Sequence, residues 1–492
     1  MTLHHHTHSQ PALLRSGRNC SALVNASRAA VLVDGSAYFS HLETTLKRAQ
    51  RSIFILGWDF DARIALRPDR GGEAESLGAL LRSRVEENPD LHVYILVWSV
   101  SVLHGPSAIT PNLLGADWDK HPRIHFRLDT RHPFYAAHHG KIVCIDGQLA
   151  FVGGIDLTVR RWDCSDHRVD CAERCDPDGK AYAPVHDMQM LVDGEAAATL
   201  CGMARERWHR ATGESCEAAA AHCGAHDAWP EGLEPDFTDI PVGVARTIPD
   251  YDGQEEVAEC AQLTLDMIAT AQRAIYIEAQ YLTAPLICAA LQRRLRESSG
   301  PDVVIILTYE SRGLMERFAM GANRDRMLRR LARADRGDRL RVFYPVTPRE
   351  DGEEQIMTHA KLVITDDHVV RVGSSNLNNR SIALDTECDL AIEARTDTER
   401  AAVAGLRHRL LGEHLGVEAQ EVEQAVAECG SLARAIDRLN TGGRGLRPFP
   451  ALSADGPDRP LLLTALLDPA RPLRLKRMLG DRAPRILSPR AG

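Results

Sequence analysis

Lysine is scarce in this chain. Of its 59 lysines and arginines only six are lysine: Lys47, Lys120, Lys141, Lys180, Lys361 and Lys476. Aromatic residues are also few, at 5%. No apolar run approaches the length of a membrane span; Leu461 to Leu467 is far too short. Positive charge is not in excess, because the net charge is −9. That argues against a general nucleic-acid binder, which carries a basic field. The twelve cysteines are scattered, with no dense disulfide framework. Cys144 and Cys288 lie in apolar runs and read as buried thiols. Cys164, Cys171 and Cys175, with His167 between them, match no standard zinc spacing and read as a loop with free thiols. Met1 to Arg18 is polar and His-rich, with His4, His5, His6 and His8, and lacks the apolar core of a signal peptide. The expectation is a soluble, cytoplasmic protein, with peripheral membrane contact left open.

Two of the six lysines occur in one repeated frame. His139-Gly140-Lys141 is followed by Asp146 and then by Gly153-Gly154-Ile155-Asp156. His359-Ala360-Lys361 is followed by Asp366 and then by Gly373-Ser374-Ser375-Asn376. Chance places roughly 0.02 matches to H-x-K-x4-D in such a chain. A histidine and a lysine two apart on a strand face the same side. Each copy therefore offers one imidazole and one compact cation. Two copies brought together supply a nucleophile, an acid and two cations, which is what transfer of a phosphodiester requires.

At 492 residues the chain is too long for a single ordinary core. The second half repeats the landmarks of the first about 220 residues later. Ala271-Gln272-Arg273-Ala274-Ile275-Tyr276-Ile277 echoes Ala49-Gln50-Arg51-Ser52-Ile53-Phe54-Ile55. Strands alternating with helices make each unit α/β. The expected organisation is a disordered tail over 1–18, a first half over 19–213, a Pro/Ala-rich linker over 214–242 and a second half over 243–416. A C-terminal region over 417–492 is expected to be helical and then loosely ordered.

The paired motifs resemble those of the phospholipase D superfamily, over roughly Asn19 to Gly416. Phe151 to Leu157, Arg161-Trp162-Asp163, Val185-His186-Asp187, Asn378 to Ser381 and Thr386 to Leu390 are similar to the subgroup of phospholipase D proper. So is Ile277-Glu278-Ala279-Gln280-Tyr281, with Ala279 where the subgroup has asparagine. The resemblance implies two α/β sandwich halves packed face to face as a pseudo-dimer, one shared active site, and catalysis without a metal or other cofactor. It implies hydrolysis or transphosphatidylation of glycerophospholipids through a phosphohistidine; a monomer with peripheral membrane contact is expected. The substrates would be a phospholipid and a water or alcohol acceptor, with no nucleic acid. Alternatives are a cardiolipin-synthase-like transferase, a nuclease of the same superfamily and an inactive membrane adaptor.

By family analogy His139 is the nucleophile and His359 the general acid. Each imidazole needs an orienting carboxylate on its other nitrogen; the resemblance places Glu387 behind His359 and Asp187 behind His139. Ser374 and Asn376 are expected to donate hydrogen bonds to the phosphate, with Lys141 and Lys361 supplying charge. Asp146 and Asp366 lie an odd number of residues past the lysines and read as structural. Asp156 would repel a phosphodiester, so it is either turned toward a cation or stabilises a protonated imidazole.

Overall fold

A computed structural model describes residues 12–99, 117–133, 135–216, 227–310, 321–452, 455–459, 468–469 and 471. The central element of each half is the strand that carries the motif lysine. Lys141–Ile145 and Lys361–Thr365 are buried throughout, as strands covered on both faces are. Side chains alternate across the sheet. Ile142 and Cys144 enter the core shared by the halves, whereas Val143 and Ile145 enter the outer core of the first half. Leu362 and Ile364 repeat the first choice, and Val363 enters the outer core of the second half.

The two sheets have the same strand order. In the first it runs Ile124–Asp129, His92–Trp98, Ser52–Gly57, Lys141–Ile145, Leu149–Gly153, Met188–Val192, Ala22–Val33. In the second it runs Leu340–Arg349, Asp302–Leu307, Ala274–Ala279, Lys361–Thr365, Val369–Gly373, Glu387–Glu393, Phe237–Ile248. The two last strands pair antiparallel with each other, with Ala22 opposite Val244, so the sheets are continuous at that edge. Between the halves lies an apolar core of Phe54, Val152 and Met190 from one side and Tyr276, Val372 and Leu390 from the other. Two 19-residue helices, Gly194–Thr212 and Asp397–Leu415, contribute Trp208 and Leu410 to it. This is the duplicated α/β architecture implied by the repeat.

Several local expectations change. Leu13 and Leu14, within the stretch expected as a disordered tail, are buried, and their N–H groups donate to Glu393 at 2.8 and 3.1 Å. His4, His5, His6, His8 and Leu461 to Leu467 fall outside the described residues. The stretch expected as linker ends in the strand Phe237–Ile248, whose apolar residues join the shared core. The helical start of the C-terminal region is two helices, Ala419–Cys429 and Leu432–Leu439. Gly430, at φ 62°, ends the first, and the Ser431 hydroxyl caps the second. Within the loosely ordered C-terminal region, Gly445–Pro448 adds to the edge of Leu340–Arg349. Among the described residues no helix is long and apolar enough to cross a membrane.

Candidate active site

Each motif histidine precedes its strand and rests on backbone from the other half. The His139 N–H donates to the Thr386 carbonyl at 3.0 Å, and the His359 N–H to the His186 carbonyl at 2.7 Å. The next residue after each carbonyl is an acid, Glu387 and Asp187 respectively. Chain direction thus delivers each acid to the opposite half's imidazole. His139 Nδ1 lies 3.0 Å from Glu387 Oε2, and His359 Nδ1 lies 2.6 Å from Asp187 Oδ2. This reverses the expected pairing of Glu387 with His359 and Asp187 with His139. The orienting carboxylates cross between halves because Thr358–His186 and His138–Thr386 are bridged across the interface in parallel.

The local sequence explains why one acid is longer. Asp187 is buried directly over Gly154; a Cβ at Gly154 would stand 2.1 Å from Asp187 Oδ1. The counterpart of Gly154 is Ser374, which has a side chain. Its hydroxyl donates to Glu387 Oε2 at 2.6 Å and accepts from the Cys388 N–H at 3.0 Å. Ser381 donates to the other Glu387 oxygen at 2.7 Å. The Ser374 hydroxyl is therefore engaged behind the histidine, not aimed at a phosphate as expected. Ser381 is a site residue that spacing did not single out, although it lies in the quoted Asn378 to Ser381 segment. Asn376 is buried; its N–H donates to Ser381 Oγ at 3.1 Å, and among the described residues its side-chain oxygen has no hydrogen-bond partner.

The cations differ between halves. Lys141 Nζ donates to the His139 carbonyl at 2.6 Å and lies 3.2 Å from Asp156 Oδ2. Asp156 is thus turned toward a cation, and its other oxygen accepts the Trp58 N–H at 2.9 Å. Lys361 donates to the His359 carbonyl, and its Nζ lies 3.5 Å from Gln280 Oε1. Asp146 and Asp366 stand outside this cluster. Asp146 accepts the N–H groups of Gln50, Arg51 and Ser52, and Asp366 those of Gln272, Arg273 and Ala274. Both have positive φ, 55° and 57°, and both hold the turn that begins the neighbouring strand.

Burial dominates the electrostatics. It lowers both histidines well below the usual value, and the Lys141 and Lys361 charges act on each ring in the same direction. Each ring feels both lysines because the packing of the halves places the two motifs together. Burial also brings Lys361 down to about 8. It pushes Glu387 up to about 8, against the hydroxyls of Ser374 and Ser381, and Asp187 up to about 6. His139 keeps 16% of its side-chain surface exposed and His359 7%, so the first ring is the more open. Arg161 adds positive charge at His359, Asp187 and Lys361. It belongs to the quoted Arg161-Trp162-Asp163 block, but spacing alone could not place it here.

Residues 45–231 match the family model described as phospholipase D, and residues 264–404 the model described as cardiolipin synthase, PLD-like domain. The chain belongs to the phospholipase D superfamily. Phospholipase D1 of Saccharomyces cerevisiae is 25% identical over 505 residues, covering 80% of this chain and 29% of that protein. Phospholipase D A of Dictyostelium discoideum is 25% identical over 459 residues, covering 78% of this chain and 35% of that protein. The chain thus spans about a third or less of the curated relatives' length. The crystal structure of phosphatidylserine synthase from Haemophilus influenzae superposes with a TM-score of 0.57 at 13% identity, covering 91% of this chain and 95% of that one.

Proposed function

We propose that the protein is a phospholipase D-type phosphodiesterase that transfers the phosphatidyl group of a glycerophospholipid to water or an alcohol. The supporting observation is the crossed arrangement of two imidazoles, each with Nδ1 on a buried carboxylate of the opposite half. With Nδ1 engaged, only Nε2 of each ring is free to face a substrate. Naming of the curated relatives as phospholipase D supports the lipid substrate.

In this reading His139 Nε2 attacks phosphorus and the bond from phosphorus to the headgroup oxygen breaks. His359 Nε2–H gives its proton to that oxygen. His359 then takes a proton from water or an acceptor alcohol, whose oxygen attacks phosphorus and breaks the P–N bond. Both rings are neutral before substrate binds, because burial and two lysines disfavour the imidazolium. The bound phosphodiester anion offsets the lysine charge and allows one ring to take up the proton. Lys141, Lys361 and Asn376 serve the phosphate oxygens. Glu387 and Asp187 orient the rings, and Ser374 and Ser381 orient Glu387. Asp156 positions Lys141, whereas Asp146 and Asp366 hold turns outside the site.

Incubation with phosphatidylcholine and a primary alcohol tests the proposal. The expected products are choline and a phosphatidyl-alcohol, with a 32P-labelled phosphohistidine trapped by acid-free quenching. Cleavage of single-stranded DNA without lipid turnover sinks the lipid reading. Transfer to glycerol-type acceptors with negligible hydrolysis favours the cardiolipin-synthase-like alternative.

A further inference from the structure

A second cluster of histidines and acids lies behind the catalytic carboxylates, and the proposed reaction uses none of it. His186 and His167 are fully buried. Each gives one ring nitrogen to an outer carboxylate: His186 Nε2 lies 2.7 Å from Glu278 Oε2, and His167 Nδ1 lies 2.8 Å from Asp163 Oδ2. Those carboxylates are held in turn, Glu278 by His414 Nε2 at 3.0 Å and Asp163 by Arg174 Nη1 at 3.0 Å. The remaining nitrogens, His186 Nδ1 and His167 Nε2, point to a common centre with Asp34 and Glu413. His186 Nδ1 is 2.9 Å from Asp34 Oδ1 and 2.8 Å from Glu413 Oε1. His167 Nε2 is 3.1 Å from Glu413 Oε1 and 3.7 Å from Asp34 Oδ2. The inner donor atoms of the four residues all lie within 4.8 Å of one another.

We propose that Asp34, His167, His186 and Glu413 form a structural zinc site that joins the first half to the helix Asp397–Leu415. Four ligands at bonds of about 2.0–2.2 Å in a tetrahedron stand roughly 3.3–3.6 Å apart. The four imidazole–carboxylate distances run from 2.8 to 3.7 Å, three of them shorter than this, so a bound ion would spread the donors by a few tenths of an ångström. A ring nitrogen midway between two carboxylate oxygens has one hydrogen at most and cannot donate well to both; a cation at the centre satisfies all four donors. Two carboxylates with two neutral imidazoles carry a charge of −2, which a divalent ion cancels. The outer carboxylates fix the ring tautomers in the way that carboxylates behind ligating histidines do. Imidazole with carboxylate suits zinc. Four protein ligands leave no open position, so the ion takes no part in the phosphate chemistry. It fixes His186, whose carbonyl holds the His359 N–H, and Asp34, whose N–H donates to the Asp187 carbonyl at 2.8 Å. The thiols of the 164–175 loop are not its ligands: Cys164 Sγ sits on Asp166 at 2.9 Å, Cys171 Sγ on Glu173 at 3.2 Å, and Cys175 is exposed.

The test uses the full chain with His4, His5, His6 and His8 replaced by alanine, which removes an adventitious site. After dialysis against zinc-limited buffer, elemental analysis should find one zinc per chain. X-ray absorption should show a shell of nitrogen and oxygen at about 2.0–2.1 Å with no sulfur. His167→Gln and Glu413→Gln should each lower zinc occupancy at least tenfold, whereas Cys164→Ser and Cys171→Ser should not. If the two ligand variants fail to fold, the absorption spectrum of the parent chain decides. Stripping the ion with a chelator should lower Tm by about 5 °C or more. A folded, cooperative parent chain that contains no zinc overturns the proposal and assigns the cluster to ion pairs of protonated histidines. A sulfur-containing shell, or zinc retained at full occupancy by folded Glu413→Gln, overturns it equally.

Discussion

Ser374→Ala separates two roles for the second motif's serine. In the structure its hydroxyl donates to Glu387 Oε2 at 2.6 Å, and this bond favours the ionised carboxylate. Glu387 must be ionised to accept the Nδ1–H of His139. Its value of about 8 leaves roughly a tenth of the sites ready at pH 7, and the ready fraction rises with pH. A hydrogen bond to a charged group contributes about 1.5–3 kcal/mol, and one pH unit is about 1.36 kcal/mol. Removing the hydroxyl should therefore raise the Glu387 midpoint by about one to two pH units and slow phosphohistidine formation at pH 7 by about 10- to 100-fold. The assay is rapid-quench formation of the labelled intermediate at saturating lipid from pH 6 to 10. The acidic limb should move up while the rate approaches the parent value at the alkaline end. A uniform loss at every pH, with an unmoved limb, would mean that the hydroxyl binds phosphate, and the reasoning fails.

The crossed pairing makes Glu387→Gln and Asp187→Asn differ in kind. Both should slow formation of the intermediate, the first by about 10²- to 10⁴-fold whatever the headgroup, whereas the loss in the second should be relieved by substrates with better leaving groups. Equal effects of leaving-group quality on both variants would refute the assignment. Burial brings Lys361 down to about 8, so kcat/KM should fall as pH rises through that value; bound phosphate keeps the ammonium charged, so kcat should not. Glu387 has the sign of a raised acid: the stability due to its neutral form is full below the ordinary carboxylate value and is lost as pH rises through about 8. Urea titrations of the parent should weaken over that range, and those of Glu387→Gln should weaken less. Gly154→Ala places a Cβ against Asp187 and should reduce turnover by at least 100-fold, read as kcat on soluble, folded protein. Asp146→Ala removes the acceptor of three N–H groups and should cost about 2–4 kcal/mol in urea unfolding, with kcat per folded molecule near the parent's.

The repeat, the α/β class and the identity of the two His/Lys pairs are local properties. They depend on period-2 alternation in short apolar strands and on a spacing that survives in the chain itself. Asp146 and Asp366 were also legible, because five residues past a strand lysine is the opposite face and the start of a turn. Other features were not legible in this way. The partners of His139 and His359 lie 248 and 172 residues away, and no spacing rule says which half an acid will cross to. Ser374 looked like a phosphate ligand because its residue type fits that role. Only the closure of Ser374 onto Glu387 shows where its hydroxyl points.

Motif spacing and strand alternation alone establish that two imidazole and ammonium pairs exist and that the halves carrying them are duplicates. Strand alternation and motif spacing are short-range, so they are written locally. Packing of the two halves sets which carboxylate orients which histidine, turns Asp156 to Lys141, and makes His186, His167, Asp34 and Glu413 converge. These depend on how two sheets meet across an apolar interface, a long-range packing outcome. The same burial that assembles those groups is what moves their proton affinities.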